Sequence, residues 1–105
     1  MVERGRVRRV PLETIVRFEA RDDYVAAWTS DARYLLSTRM QVLGVRLDPH
    51  RFVRVHRSHI VNLAKVQESV RLGGGRWRLA MEDGSEVDTS RAGGRRLRAA
   101  RVVPG

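Results

Sequence analysis

The run from Phe52 to Asn62, Phe-Val-Arg-Val-His-Arg-Ser-His-Ile-Val-Asn, constrains this chain more than any other stretch. Val53 and Val55 alternate with Arg54 and His56 at the two-residue period of a half-buried strand, and Ile60, Val61 and Leu63 then resume the apolar surface. These flanks fix the path of the backbone. Between them, His56 to His59 is a knot of hydrogen-bonding side chains with no acid among them. Arg57 offers a planar fork of donors, the histidines offer ring nitrogens, and Ser58 adds a hydroxyl, a set that suits an anionic partner rich in acceptors.

A chain of 105 residues sustains one core, so a single domain over residues 1–105 is expected. No apolar run approaches the roughly 20 residues that a membrane-spanning helix needs. No secretory signal is evident near the N-terminus, and with no cysteine the fold can use neither disulfides nor thiolate metal ligands. The cytoplasm is the expected compartment. The 21 basic residues outweigh 12 acidic ones for a net charge of +9, and all of them but Lys65 are arginine. A GC-rich genome writes arginine wherever lysine would do, yet the rigid arginine fork also suits phosphates and guanine edges. The charge itself draws such a domain to polyanions, whether nucleic acid or acidic membrane surfaces, and it would bind DNA at least nonspecifically.

Taken in order, residues 1–6 read as a frayed lead and Val7 to Val10 as an edge strand stopped by Pro11, which cannot donate to a ladder. Ile15 to Glu19 or Ala20 is a strand, broken at Arg21-Asp22-Asp23, and Tyr24 to Thr29 returns from it. Tyr34 to Leu36 adds a third strand after the turn at residues 30–33. Met40, Leu43 and Leu47, three and four apart, predict a short helix over Thr38 to Leu47, capped by Ser37 or Thr38 and ended by Asp48-Pro49. Lys65 to Leu72 and the segment through Trp77 and Leu79 form a hairpin about Gly73-Gly74-Gly75, and Asp83-Gly84 turns into Glu86 to Thr89. Ser90 to Val103 reads as a second helix with Ser90 as N-cap and with Leu97, Ala99 and Ala100 on one face; Gly93-Gly94 weakens its first turn. The result is a mostly β domain of antiparallel strands with one or two helices.

Chemistry other than binding finds little support. His50, His56 and His59 could in principle hold a metal, but no cysteine or nearby acid completes a ligand set, so neither metal nor cofactor is expected. Ser58 between two histidines lacks a nucleophile elbow or an evident buried acid. The least implausible enzyme is a small ribonuclease with His56 and His59 as acid and base and Arg57 on the phosphate. Trp28 and Trp77 read as packing residues rather than base-stacking platforms. The tail after Asp88 contains Arg91, Arg95, Arg96, Arg98 and Arg101 and no acid. With Arg54 and Arg57 it gives two basic clusters at element ends, which suits loops reaching into DNA from a β scaffold.

One ordered set of motifs resembles the LytTR type DNA-binding domain of bacterial transcription regulators. It comprises Ile15 to Glu19, Asp23-Tyr24-Val25, the helix with Leu47-Asp48-Pro49, the Phe52 to Asn62 run, Asp83-Gly84 and Ser90-Arg91, from about residue 7 to residue 101. Asp-Gly and Ser-Arg are weak signals alone; the His-Arg-Ser-x-Ile-Val-Asn run at this spacing carries the match. The resemblance implies an elongated sandwich of antiparallel sheets whose loops enter successive major grooves and the minor groove between them. Carried over by position, the DNA-facing places are the Arg21 to Tyr24 loop, His56 to Ser58, and Ser90-Arg91. The sequence departs from the family pattern at Gly93-Gly94, where members commonly carry an aromatic or larger side chain. Such domains usually follow a receiver or membrane sensor, which this sequence lacks, so a free-standing protein or an excised part is expected.

The expected function is sequence-specific binding of double-stranded DNA in transcription regulation, at repeated sites and with a homodimer on DNA, without membrane or small-molecule substrate. His56, Arg57, Arg91 and Asp23 are the expected base-contacting residues. Arg21, Tyr24, Arg54, Ser58, Ser90, Arg95 and Arg96 are the expected phosphate-contacting ones. Besides the ribonuclease, the alternative is a basic protein-interaction module.

Overall fold

A strand that is apolar at consecutive positions must bury both faces, and the computed structural model of this chain shows how it does so. Residues 2–3, 6–7 and 9–104 are described. A short ribbon pairs β1 (Val2–Glu3) with β2 (Arg6–Val7). Five strands, β3 (Ile15–Arg21), β4 (Tyr24–Thr29), β5 (Arg33–Leu36), β6 (Phe52–His56) and β7 (His59–Asn62), make an antiparallel sheet in the order β5-β4-β3-β7-β6. A second antiparallel sheet, ordered β10-β9-β8, contains β8 (Val66–Gly73), β9 (Arg76–Met81) and β10 (Glu86–Asp88). Helix α1 (Met40–Arg46) joins β5 to β6, and α2 (Arg91–Ala99) follows β10. Strand far outweighs helix, so the mostly β class holds, with two helices of 7 and 9 residues. The molecule measures 43 × 24 × 22 Å and is elongated as expected.

The five-stranded sheet is the middle layer. On one face Val16, Val53, Val55 and Val61 pack against Trp77, Leu79, Met81 and Val87 of the smaller sheet and against Leu97 and Val103. On the other, Ile15, Phe18, Val25, Phe52 and Ile60 pack with Met40 and Leu47 from the α1 region. Neighbours in sequence such as Phe52 and Val53, or Ile60 and Val61, thus serve different cores. The Phe18 and Phe52 rings lie 5.8 Å apart at a tilt of 55°. Burying each such side chain contributes about 1.5–3 kcal/mol.

Four boundaries differ from expectation. Where a frayed lead was expected, Val2–Glu3 pairs with Arg6–Val7; Met1, Arg4 and Gly5 lie outside the described residues. Of the expected strand Val7 to Val10, only Val7 is in β2; Arg9 and Val10 are irregular and Arg8 lies outside the described residues. Val10 instead packs against the core around Phe18, just before the 3-10 turn Leu12–Thr14. Helix α1 has Arg39, not Ser37 or Thr38, at its N-cap: the amides of Val42 and Leu43 both close on the Arg39 carbonyl, so the first turn begins beyond those hydroxyls. Helix α2 is capped by Ser90 as expected but ends at Ala99, and Ala99 and Ala100 are exposed; the buried face is Gly93, Gly94 and Leu97.

The reason for the last difference is backbone contact. A Cβ on Gly93 would sit on the Val55 carbonyl, and one on Gly94 on the Gly75 carbonyl, so α2 lies with its bare backbone against β6 and the β8–β9 turn. That turn places Gly73, Gly74 and Gly75 at φ of 91°, 63° and 81°, a run that side chains would oppose. The departure at Gly93-Gly94 is therefore a closer seat for the helix, not a weak start to it.

Candidate nucleic-acid interface

Two hairpin tips lie side by side at one end of the five-stranded sheet. Strands β3 and β4 turn through Asp22-Asp23, and β6 and β7 turn through Arg57-Ser58. Because β3 pairs with β7, Glu19 faces His59 across the ladder, and the Ala20 amide donates to the Ser58 carbonyl at 2.9 Å. Arg54 and Arg57 share a groove of about 500 Å³ with residues 20–25 and with Arg39.

The start of α2 is pinned to the same end. The ladder between β6 and β7 shifts register between Arg54 and His56, and the Val55 carbonyl accepts from the Ser90 amide at 2.9 Å. The Ser90 hydroxyl accepts from the Gly93 amide at 3.0 Å, which caps the helix and sets Arg91 on its first turn beside β6. All three segments named from sequence therefore come together, though no two are adjacent in the chain.

Their side chains divide into free and engaged groups. Arg57, Arg91 and Arg95 are exposed, and among the described residues none has a side-chain hydrogen bond or ion pair. The same holds for Asp22 and Asp23, so neither caps its turn. Arg21 pairs with Glu19 at 3.2 Å, and Tyr24 is half-buried. Arg54 donates from Nη2 to the Arg57 carbonyl at 2.7 Å, and Arg96 donates from Nη1 to the Arg54 carbonyl at 2.9 Å. The His56 Nδ1 accepts from the Ser58 amide at 3.1 Å, which puts the proton of the neutral ring on Nε2 and leaves that nitrogen to donate.

His59 has a different environment. It is half-buried, its ring lies 5.7 Å from that of His56, and its buried Nδ1 has no hydrogen-bond partner among the described residues. Burial pushes its pKa below the usual 6.5; Glu19 opposes this, while Arg17 and His56 reinforce it. Burial also raises the Glu19 carboxyl, but the indole N–H of Trp28 at 3.3 Å and the cations of Arg17 and Arg21 outweigh it and hold the group below its ordinary value. Arg17 and Arg33 stack on Trp28 with guanidinium carbons 5.0 and 5.5 Å from a ring centre. Trp28 is half-buried and Trp77 buried, the packing roles expected of both. His50 is exposed at the end of the α1 region, and among the described residues no three His, Cys, Asp or Glu side chains converge as a metal site.

Sequence reasoning missed Arg39, which joins the groove only because α1 starts there. It also missed the internal bonds of Arg54 and Arg96, whose acceptors are main-chain carbonyls that no residue type announces. Among the described residues no helix is long and apolar enough to cross a membrane.

The chain is a β-rich domain that gathers two hairpin tips and a helix start at one end, where Arg57, Arg91 and Arg95 are exposed. The chain belongs to the LytTR family: the family profile described as the LytTr DNA-binding domain matches residues 5–101. It is 42% identical over 69 residues to the heme-containing CO-sensing transcriptional regulator RcoM 2 of Paraburkholderia xenovorans (strain LB400), covering 66% of this chain and 26% of that protein. To the sensory transduction protein LytT of Bacillus subtilis (strain 168) it is 30% identical over 89 residues, covering 85% of this chain and 37% of that one. The chain thus spans about a quarter to somewhat over a third of these relatives. Its fold matches the LytTr DNA-binding domain of a methyl-accepting/DNA response regulator from Bacillus cereus, with TM-score 0.82 at 23% identity, covering 88% of this chain and 84% of that one. The motif order read from sequence anticipated this family.

Proposed function

We propose that residues 1–105 act as one domain that binds double-stranded DNA sequence-specifically in bacterial transcription regulation, by setting its loops into the grooves. The observation that carries this reading is the convergence of the two hairpin tips and the start of α2, with Arg57, Arg91 and Arg95 unpaired among the described residues. Unpaired guanidinium forks are available for bidentate bonds to guanine edges or phosphates. Arg91 with His56 or Arg57 reads bases, and Asp23 accepts from a cytosine amino group. Arg21, Tyr24, Ser58, Ser90 and Arg95 meet phosphates. The protein acts by binding rather than catalysis, in the cytoplasm, on repeated sites occupied by a homodimer.

Selection of bound duplexes from a random pool at about 150 mM salt tests it. A shared motif, present twice at a spacing near the helical repeat, is the expected result. Recovery of unrelated sequences, with affinity set by salt alone, would reduce the function to nonspecific polyanion binding.

A further inference from the structure

Arg54 and Arg96 stand at the interface, yet each gives a donor to the main chain. We infer that the two act on DNA recognition from behind, as positioning residues that hold the β6–β7 turn in its binding shape, and not as phosphate ligands. This rests on the DNA-binding reading above.

The ladder between β6 and β7 is incomplete. The register shift between Arg54 and His56 leaves Val55 out of the ladder one residue before a turn of only two residues. Two carbonyls of β6 and one of the turn find partners outside the ladder. That of Arg54 accepts from Arg96, that of Val55 from the Ser90 amide, and that of Arg57 from Arg54. Bonds from guanidinium at 2.7 and 2.9 Å are charge-assisted and stronger than neutral ones. They form a chain of two links, from α2 through Arg96 to Arg54, and from Arg54 across the turn to Arg57. The turn then presents Arg57 and His56 with the Arg57 side chain free. An Arg54 fork turned onto a phosphate would release the Arg57 carbonyl and loosen the residue that reads bases.

The test uses the full chain with Arg54→Met and Arg96→Met, each keeping an apolar stem without donors. Amide exchange at Ala20 and Ser58, whose N–H groups bond to the Ser58 carbonyl and the His56 ring at this turn, should accelerate about tenfold in both variants of the free protein, the worth of one charge-assisted bond. Unchanged exchange would overturn the inference whether or not DNA is involved. Affinities for a selected duplex and a scrambled one are then measured across salt. The expected result is about a tenfold loss on the selected duplex only, with the salt slope kept. A parallel loss on both duplexes with a slope smaller by about one marks a phosphate ligand and overturns the inference. In the Arg57→Met background the Arg54→Met loss should vanish; additive losses also overturn it. Should Arg54→Met unfold, Arg96→Met, on an exposed helix position, and Arg54→Gln supply the same readouts. A wild-type chain that does not tell the two duplexes apart fails the DNA reading itself, and the exchange measurement still decides the positioning role.

Discussion

The Ala20 amide and the Ser58 carbonyl, 2.9 Å apart, join the tips of two hairpins that sequence separates by more than thirty residues. Beyond this bond β3 and β7 diverge into their own turns, so it fixes the spacing between the Arg21 to Tyr24 loop and the His56 to Ser58 segment. In the proposed complex, recognition depends on that spacing as much as on any side chain.

Arg91 and Arg95 lie one helical turn apart and are both exposed, but they face different tasks in the proposed complex. Arg91→Ala should lower the preference for a selected duplex over a scrambled one by about 1–3 kcal/mol. Arg95→Ala should weaken both duplexes alike and reduce the salt slope by about one. Equal losses on the two duplexes for Arg91→Ala, measured by titration, remove it from the reading role.

Asp22 and Asp23 sit at a tip otherwise prepared for an anion, and neither makes a bond that shapes the turn. Replacing both with asparagine removes two like charges from beside the phosphates. Nonspecific affinity at low salt should rise, and the preference for the selected duplex should fall if Asp23 meets a cytosine. Unchanged nonspecific affinity means the tip does not approach the backbone.

The same swap should have opposite signs at two helical glycines. At Gly44 an added methyl meets nothing within 4 Å, so Gly44→Ala stabilises α1 by up to about 1 kcal/mol. Gly93→Ala drives a methyl into the Val55 carbonyl and should cost about 1–3 kcal/mol despite the better helix propensity. Urea unfolding of the two variants checks both signs.

Acidification should destabilise the fold in two stages. His59 has a lowered pKa in the folded state, so the unfolded chain takes up the proton first, and stability falls as pH drops below about 6.5. Glu19, also lowered, contributes stability that is present above pH 4.5 and lost below it. Thermal unfolding across pH should show the upper stage diminished in His59→Gln and the lower stage diminished in Glu19→Gln. An upper stage of full size in His59→Gln assigns it to other groups.

How much of this was legible in sequence depends on how far each cause reaches. Ser90 was readable as a cap because its partner is the Gly93 amide three residues on, and Gly84 as a turn because its φ of 87° is a local demand. The α1 cap was not, because no side chain makes it. Gly93 looked like a helix defect, since propensity is local while the Val55 carbonyl that requires it is 38 positions back in the chain (93 − 55). Arg96 reaches a carbonyl 42 residues away, and a basic side chain there looks the same in sequence whether it serves DNA or its own backbone. Of the candidate site, the three segments were visible and the links between them were not.

Those links carry a thermodynamic consequence. With the hairpin tips tied at Ala20 and Ser58 and the helix start tied at Val55, the interface is ordered before any partner arrives, and the entropy of ordering it is lost at folding. Association then carries little coupled folding, and its heat capacity change should reflect only surface removed from water. In the proposed complex a rigid protein face leaves adjustment to the duplex, so sequences whose steps bend easily between the contacted grooves should gain an advantage at bases no side chain touches.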